Sequence, residues 1–377
     1  MKKKTDFIFP FFLFLFPFSF LLFPFITSAH EVYVLSPQNI TTAIDTPSFN
    51  MFAVAMQNAN QFSLWTFIVV LAIIVVFATS IMRWLERRLD PFLARLRPYA
   101  PFVGRLTFGL SFLAAAYYGA LCGPELSLTS LFGPYTPLIT AMIAIIGIMI
   151  IFGLYTRLAT AVALGIFSVA VWTHGWYMLT YTNYVGEIFV LLILGSHRLS
   201  LDRLFTRHTN NSGAAHYLTT PPPSPHIWRN TFATFHFYFH RIVAWLAPRS
   251  FAILRVAFGI ALIYASTYAK IIHNNLALMT VEQYHLDKIL GFEPHFLVLG
   301  AALIELLIGL FFIFGIEIRF TALFFEFWLI LSLCFFGEAV WPHIILIGIP
   351  IALFMHGYDR YSIEGWLFRK KKYPPVL

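Results

Sequence analysis

The chain holds 377 residues, of which 59% are hydrophobic and only 11% charged, with a mean hydropathy of +0.76 and a formal net charge of +8. A soluble domain carries about a quarter charged residues because its surface must meet water, so this composition excludes one and sets most side chains against lipid. Two cysteines, Cys122 and Cys334, exclude a disulfide scaffold and any CxxC redox or zinc motif.

Residues 1–29 read as a secretory signal peptide. Lys2, Lys3 and Lys4 form a basic start, a Phe-rich apolar run follows to Ile26, and Thr27-Ser28-Ala29 supplies the small residues a signal peptidase needs. Pro10, Pro17 and Pro24 argue against a stable spanning helix here, an uncleaved anchor being the alternative. Cleavage after Ala29 makes His30 the start of an external segment over 30–61. Its amine and imidazole together form a copper-favouring pair, although no second His follows in that segment. Apolar stretches able to cross ~30 Å of hydrocarbon then recur. They fall at 62–82, 103–121, 136–154, 158–174, 183–196, 251–271, 296–314, 319–336 and 341–356.

Charge sets the expected orientation. With the mature N-terminus outside, the positive-inside rule places Lys and Arg in alternate connections. Arg83, Arg87, Arg88, Arg95 and Arg97 fall inside, as do Arg157, Arg198, Arg203, Arg207, Arg229, Arg241, Arg249, Arg319, Arg360, Arg369 and Lys370 to Lys372. After the signal, only Lys270 and Lys288 fall outside, among a set of external acids that includes Glu125, Glu282, Asp287 and Glu293. The positive net charge is therefore a topology signal, with the C-terminus cytoplasmic in a bacterial-type inner (plasma) membrane. No basic folded surface remains for nucleic acid.

The chain also resembles itself. Arg105-Leu-Thr-Phe-Gly109 matches Arg255-Val-Ala-Phe-Gly259 at an offset of 150 residues (105 to 255). Gly147, Gly153 and Arg157 match Gly309, Gly315 and Arg319 at an offset of 162 (157 to 319). That offset then holds for Gly175 with Gly337, Gly195 with Gly357, and Arg198-Leu-Ser-Leu-Asp202 with Arg360-Tyr-Ser-Ile-Glu364. Each copy contains four spans, an even number, so both sit the same way up, as parallel repeats about an axis along the membrane normal. The predicted fold is all-α: a polytopic membrane helical bundle of two parallel four-helix repeats plus one additional N-terminal transmembrane helix. The expected order is the external segment, the first spanning helix with its basic internal segment (62–100), repeat 1 (101–205), an internal linker (206–250), repeat 2 (251–368) and a basic tail (369–377). The linker holds Pro221-Pro-Pro-Ser-Pro225, necessarily extended, and an aromatic, His-rich interfacial helix over 227–246. His236 and His240 lie one helical turn apart there; their aromatic surroundings favour an interfacial role over a metal site. Ser200 and Ser362 are placed to cap short helices at the ends of the two repeats.

These residues resemble a known family. Leu254-Arg255, Gly259, Lys270, Glu305-Leu-Leu-Ile-Gly309, Phe314-Gly315, Arg319 and the closing Gly357-x-x-Arg360-x-Ser362-Ile-Glu364 resemble the DoxX family, fully over the second copy and more weakly over the first. That family is similar to the small membrane subunit of archaeal thiosulfate:quinone oxidoreductase. The resemblance implies a subunit or partner of a quinone-linked membrane redox system, with a quinone as substrate and a redox protein as partner. The extra first span, the external segment and the doubling depart from the single-unit pattern.

An ionisable group at membrane depth is a functional candidate by default. Glu305 aligns with Ile143, Glu326 with Leu164 and Lys270 with Ala120, so all three polar groups are confined to the second copy. The expectation is that the second copy holds the site and the first is scaffold. Glu305, Glu326 and Lys270 are the candidate catalytic residues, for proton transfer or for contact with a quinone ring; His343, Arg255 and Arg319 are the candidate ligand-binding residues. Lys270 either pairs with Glu305 or snorkels to the surface. Glu187 reads as an interfacial charge. Cys122 and Cys334 both fall near external helix ends, with pairing left open. No haem, flavin, iron–sulfur or phosphate-loop signature occurs. Two further functions stay open: a non-enzymatic carrier or assembly factor for a hydrophobic or small ligand, and metal handling by His30 with His273, His285 and His295.

Overall fold

The computed structural model describes residues 35–196, 199–203, 238–239, 241–336 and 340–367. The expected signal peptide, His30, the Pro221–Pro225 run, the His236/His240 pair and the basic tail lie outside the described residues. Among those described, helices account for all regular structure apart from one isolated bridge between Ala120 and Ser127. Six segments are long and apolar enough to cross a membrane, and Trp341–His356 is a shorter apolar one. The protein is a multi-pass, lipid-embedded, all-α bundle.

Two short helices lead in. α1 (Pro37–Asp45) starts with Pro at its first position and with the Ser36 hydroxyl accepting from the Asn39 N–H at 3.2 Å. α2 (Met51–Met56) is capped by the Asn50 side chain, which accepts from the Phe52 and Ala53 N–H groups. α3 (Asn58–Leu96) is longer than the expected span 62–82. Its 39 residues rise roughly 58 Å, about twice the hydrocarbon thickness, so the basic stretch after the apolar run continues the same helix. Arg, Leu and Glu dominate that stretch and are good helix formers.

The first set of bundle helices is α4 (Ala100–Tyr118), the short α5 (Leu128–Phe132), α6 (Thr136–Phe152), α7 (Thr156–His174) and α8 (Thr182–Leu194). The second set begins with α9 (Ser250–Ser266), which runs on as a π-helical turn over Thr267–Ile272. Residues 272–295 are largely helical, containing α10 (Asn274–Gln283) and α11 (Leu286–Leu290). α12 (Pro294–Phe314), α13 (Ile318–Phe336), α14 (Ile344–His356) and α15 (Ile363–Leu367) complete it. Helices thus stand at all nine expected spans.

α4 packs on α6 and α14, while α9 packs on α12 and α8; α8 also meets α4 and α14 meets α9. α4, α8, α9 and α14 therefore form a central ring, with the other long helices of each set outside it. One apolar cluster runs through both sets, from Phe108, Phe112 and Tyr184 to Phe258, Phe312 and Leu353. α3 meets α14 and α2 and leaves Trp65, Phe77 and Trp84 exposed.

Contacts recur at matched residues. Gly109 and Gly147 bring α4 and α6 together so closely that a Cβ on either would sit 2.9 Å from the other's carbonyl oxygen. Gly259 and Gly309 do the same for α9 and α12, at 2.6 and 3.0 Å. Gly153 (φ 68°) and Gly315 (φ 66°) end α6 and α12 in the left-handed region, and Tyr155 and Glu317 just beyond share φ 45°. Asp202 N–H donates to the Gly153 carbonyl at 3.3 Å, and Glu364 N–H to the Gly315 carbonyl at 3.1 Å. The Asp202 carboxylate accepts from the Tyr155 N–H, and the Glu364 carboxylate from the Ile318 N–H, both at 3.1 Å. Ser362 caps α15 by accepting from Gly365 N–H at 2.9 Å; Ser200 accepts from Arg203 N–H at 3.4 Å.

Candidate functional site

The sequence candidates fall into four separate places. Lys270, on the π-helical turn that ends α9, meets Glu305, midway along α12: Nζ to Oε2 is 3.0 Å, with side chains 7% and 23% exposed. Pairing rather than snorkelling is what the geometry gives. A π-turn widens the helix by one residue and swings its side chains out of α-helical register. That turn carries Lys270 from a lipid-facing helix end to a buried position.

A cap closes over this end of α9. The Ser48 hydroxyl donates to the Ile272 carbonyl, Phe49 N–H donates to Asn274 Oδ1 (3.1 Å), and Asn274 Nδ2 returns a bond to the Phe49 carbonyl (2.7 Å). Asn275 Nδ2 donates to the carbonyls of Thr46 (3.0 Å) and Pro47 (3.1 Å). Asn60 reaches Glu293 at 3.2 Å, and the His295 ring meets Phe49 edge-on at 4.5 Å. The N-terminal segment and the stretch after α9 are thus halves of one structure.

Glu326 lies within α13, buried, with Oε1 lacking a hydrogen-bond partner. Among the described residues it makes no ion pair with Lys270, which Glu305 holds instead.

Arg255 and Arg319 lie at the arginine-rich end. Arg255 donates to the carbonyls of Phe312, Ile313 (2.7 Å) and Tyr361 (3.4 Å) and pairs with Asp359 at 3.5 Å. Arg319 donates to the Phe354 carbonyl at 3.1 Å. Arg105 and Arg157 in the first set do likewise, toward Leu199 (2.6 Å) and Ile193 (3.1 Å). Arg157, Arg255 and Arg319 satisfy carbonyls left open in the last turns of α8, α12 and α14, while Arg105 holds the connection beyond α8.

His343 stands elsewhere, 2% exposed, in a cavity of about 60 Å³ between the two sets. Tyr177 and Tyr181 line it from the 3-10 turn before α8, Asn183 and Tyr184 from the start of α8, Tyr268 from the π-turn, and Pro342 and His343 from the turn before α14. Asn183 is 2% exposed and its Oδ1 has no hydrogen-bond partner. The tyrosines are held in place: Tyr184 and Ser111 hydroxyls lie 2.9 Å apart, and Tyr177 (3.3 Å) and Tyr181 both donate to Glu125. Such a cavity offers aromatic faces and hydrogen-bonding groups to a flat polar ring. Its residues come from both sets.

Matched positions mark this cavity. Tyr181 and His343 are 162 residues apart and both line it, while the residues matching Asn183 and Glu187 are Ile345 and Ile349. Reading the comparison for polar residues confined to the first set would have found Asn183 and Glu187. Glu187 is 1% exposed, packed against Gly104 rather than at an interface.

Cys122 is buried and Cys334 exposed, and both are free thiols. No group of three or more His, Cys, Asp or Glu side chains is placed to hold a metal ion among the described residues. No family model, no curated protein and no solved structure matches this chain.

Proposed function

We propose that the chain is a DoxX-like inner-membrane protein of two parallel four-helix units plus one N-terminal spanning helix, and that it serves as the membrane partner of a quinone-linked redox system. The matched glycine, arginine and acid contacts support the two-unit reading, as does a ring in which α4 and α8 meet α9 and α14 reciprocally. Arginines clustered at one end of the bundle support an inside C-terminus and an external cap.

The observation that carries the redox reading is the cavity between the units, with an unpartnered Asn183 oxygen, a buried His343 and four tyrosines. Its 60 Å³ has room for about two waters, so it is the closed form of the site. A quinone ring enters as Tyr177 and Tyr268, both only half-buried, swing aside. His343 and the tyrosine hydroxyls then hold its oxygens. With no haem, flavin or iron–sulfur signature in the sequence, electrons come from a partner protein. Arg255 and Arg319 are helix-end clamps in this reading.

The test is quinone content of the purified full chain, followed by titration with a short-chain quinone read through Trp and Tyr fluorescence. The proposal expects saturable binding that His343→Ala weakens at least tenfold. No bound quinone, together with unchanged membrane quinone-reductase activity on deletion of the gene, would refute it. The carrier reading draws on the capped Lys270–Glu305 pair, and predicts ligand flux in proteoliposomes without any redox partner.

A further inference from the structure

A second, larger hollow lies on the opposite half of the same seam. α8 and α9 run antiparallel and are closest where Gly186 meets Ala257; a Cβ on Gly186 would come within 2.6 Å of the Ala257 Cβ. Beside that contact the helices part around a groove of about 480 Å³, within the ~300–1,000 Å³ of ordinary ligand sites. Val185, Phe189, Ile253, Val256 and Ile260 make its walls almost wholly apolar. From Arg249 to Ile260 it extends roughly 16 Å along the helix axis.

Charge gathers at one end only; Thr182, the polar residue toward the other end, has its hydroxyl on the Leu179 carbonyl. Arg249 and Tyr361 close the groove at the arginine-rich end. The Arg249 guanidinium lies 3.9 Å from the Trp245 ring and 5.3 Å from that of Tyr361, and the Arg360 guanidinium lies 4.8 Å from the Tyr361 ring. Arg249 has five N–H donors and, among the described residues, gives one bond, to the Trp245 carbonyl. Arg360 is exposed. Among the described residues neither makes an ion pair, unlike Arg255 with its Asp359.

We infer that this groove is a binding site for one anionic phospholipid of the cytoplasmic leaflet, its acyl chain lying between α8 and α9 and its phosphate held by Arg249 and Arg360. Charge complementarity chooses the occupant. Lipid tails surround the bundle on all sides and are as apolar as the groove, so burying a chain there selects nothing. Two cations on an aromatic platform at headgroup level do select, each by about fivefold for an anionic over a neutral lipid, or on the order of 25-fold together. A lipid wedged at the seam would also fill the space between the two helix sets.

The test uses the full chain purified in mild detergent and titrated with phosphatidylglycerol or phosphatidylcholine of identical acyl chains, with bound lipid counted by native mass spectrometry. The inference expects one tightly held phosphatidylglycerol, preferred at least tenfold. Arg249→Gln with Arg360→Gln should reduce that preference to about twofold or less. Val185→Trp, which fills the groove and leaves both arginines, should remove the bound lipid while the melting temperature of the protein stays measurable. Equal binding of the two lipids, or a preference that survives the double arginine change, would overturn the inference. So would occupancy unaffected by Val185→Trp.

Discussion

Replacing Glu305 by Gln leaves the Lys270 ammonium in place with its partner's charge gone. At the observed 3.0 Å, and an effective dielectric near 20, the attraction between the two charges is about 5 kcal/mol. Desolvation of both groups offsets much of this, and Glu305, nearly a quarter exposed, keeps some contact with its surroundings. Lys270 is the more enclosed partner, so it suffers more from being left alone. Glu305→Gln should therefore cost about 3 kcal/mol, and Lys270→Met about 1–2 kcal/mol. The double change Lys270→Met, Glu305→Gln should cost about 2–3 kcal/mol, less than the sum of the two single changes, because no charge is then left without its partner. Unfolding of all four proteins in mixed detergent micelles gives the coupling energy, expected at about 2 kcal/mol. Single changes that each cost under about 0.5 kcal/mol, or strictly additive effects, would refute the reasoning and put Lys270 at the surface.

Other outcomes follow from the same geometry. Gly309→Leu should strongly destabilise the bundle, because its Cβ would meet the Ile263 side chain and the Gly259 carbonyl; Gly300→Leu, with open space around it, should not, and melting curves compare them directly. Glu326→Leu should raise stability by about 1 kcal/mol, since it removes a buried oxygen with no partner; a comparable loss would mean that Glu326 is paired. Asn274→Ala removes both bonds to the Phe49 main chain and should speed amide exchange across residues 46–57 at least tenfold, leaving α12 unchanged. On intact spheroplasts, an impermeant maleimide should label cysteines placed at Ser130 or His285 and spare those at Tyr155 or Tyr361.

The spans were legible in the sequence because lipid demands long apolar runs, and the matched glycines and arginines because close backbones and helix ends demand those residue types. The continuation of α3 to Leu96 was missed because hydropathy reports where lipid ends, not where a helix does. The cap was illegible for another reason. Asn274 and Phe49 are 225 residues apart in sequence, and nothing local in either segment announces the other. Lys270, Glu305 and Glu326 were visible as polar residues confined to the second unit, yet only the first two meet. The seam cavity was half visible. His343 stood out, but nothing in the sequence set its tyrosines apart, and Asn183 shows only when the first set is compared with the second for polar residues of its own.

The proposed quinone site is tested most directly at Asn183. Titrating the purified full chain and its Asn183→Leu variant with a short-chain quinone should give saturable binding to the first and at least tenfold weaker binding to the second, with both proteins melting at similar temperatures. Equal binding by the two, or no saturable binding by either, would contradict a quinone site at the seam.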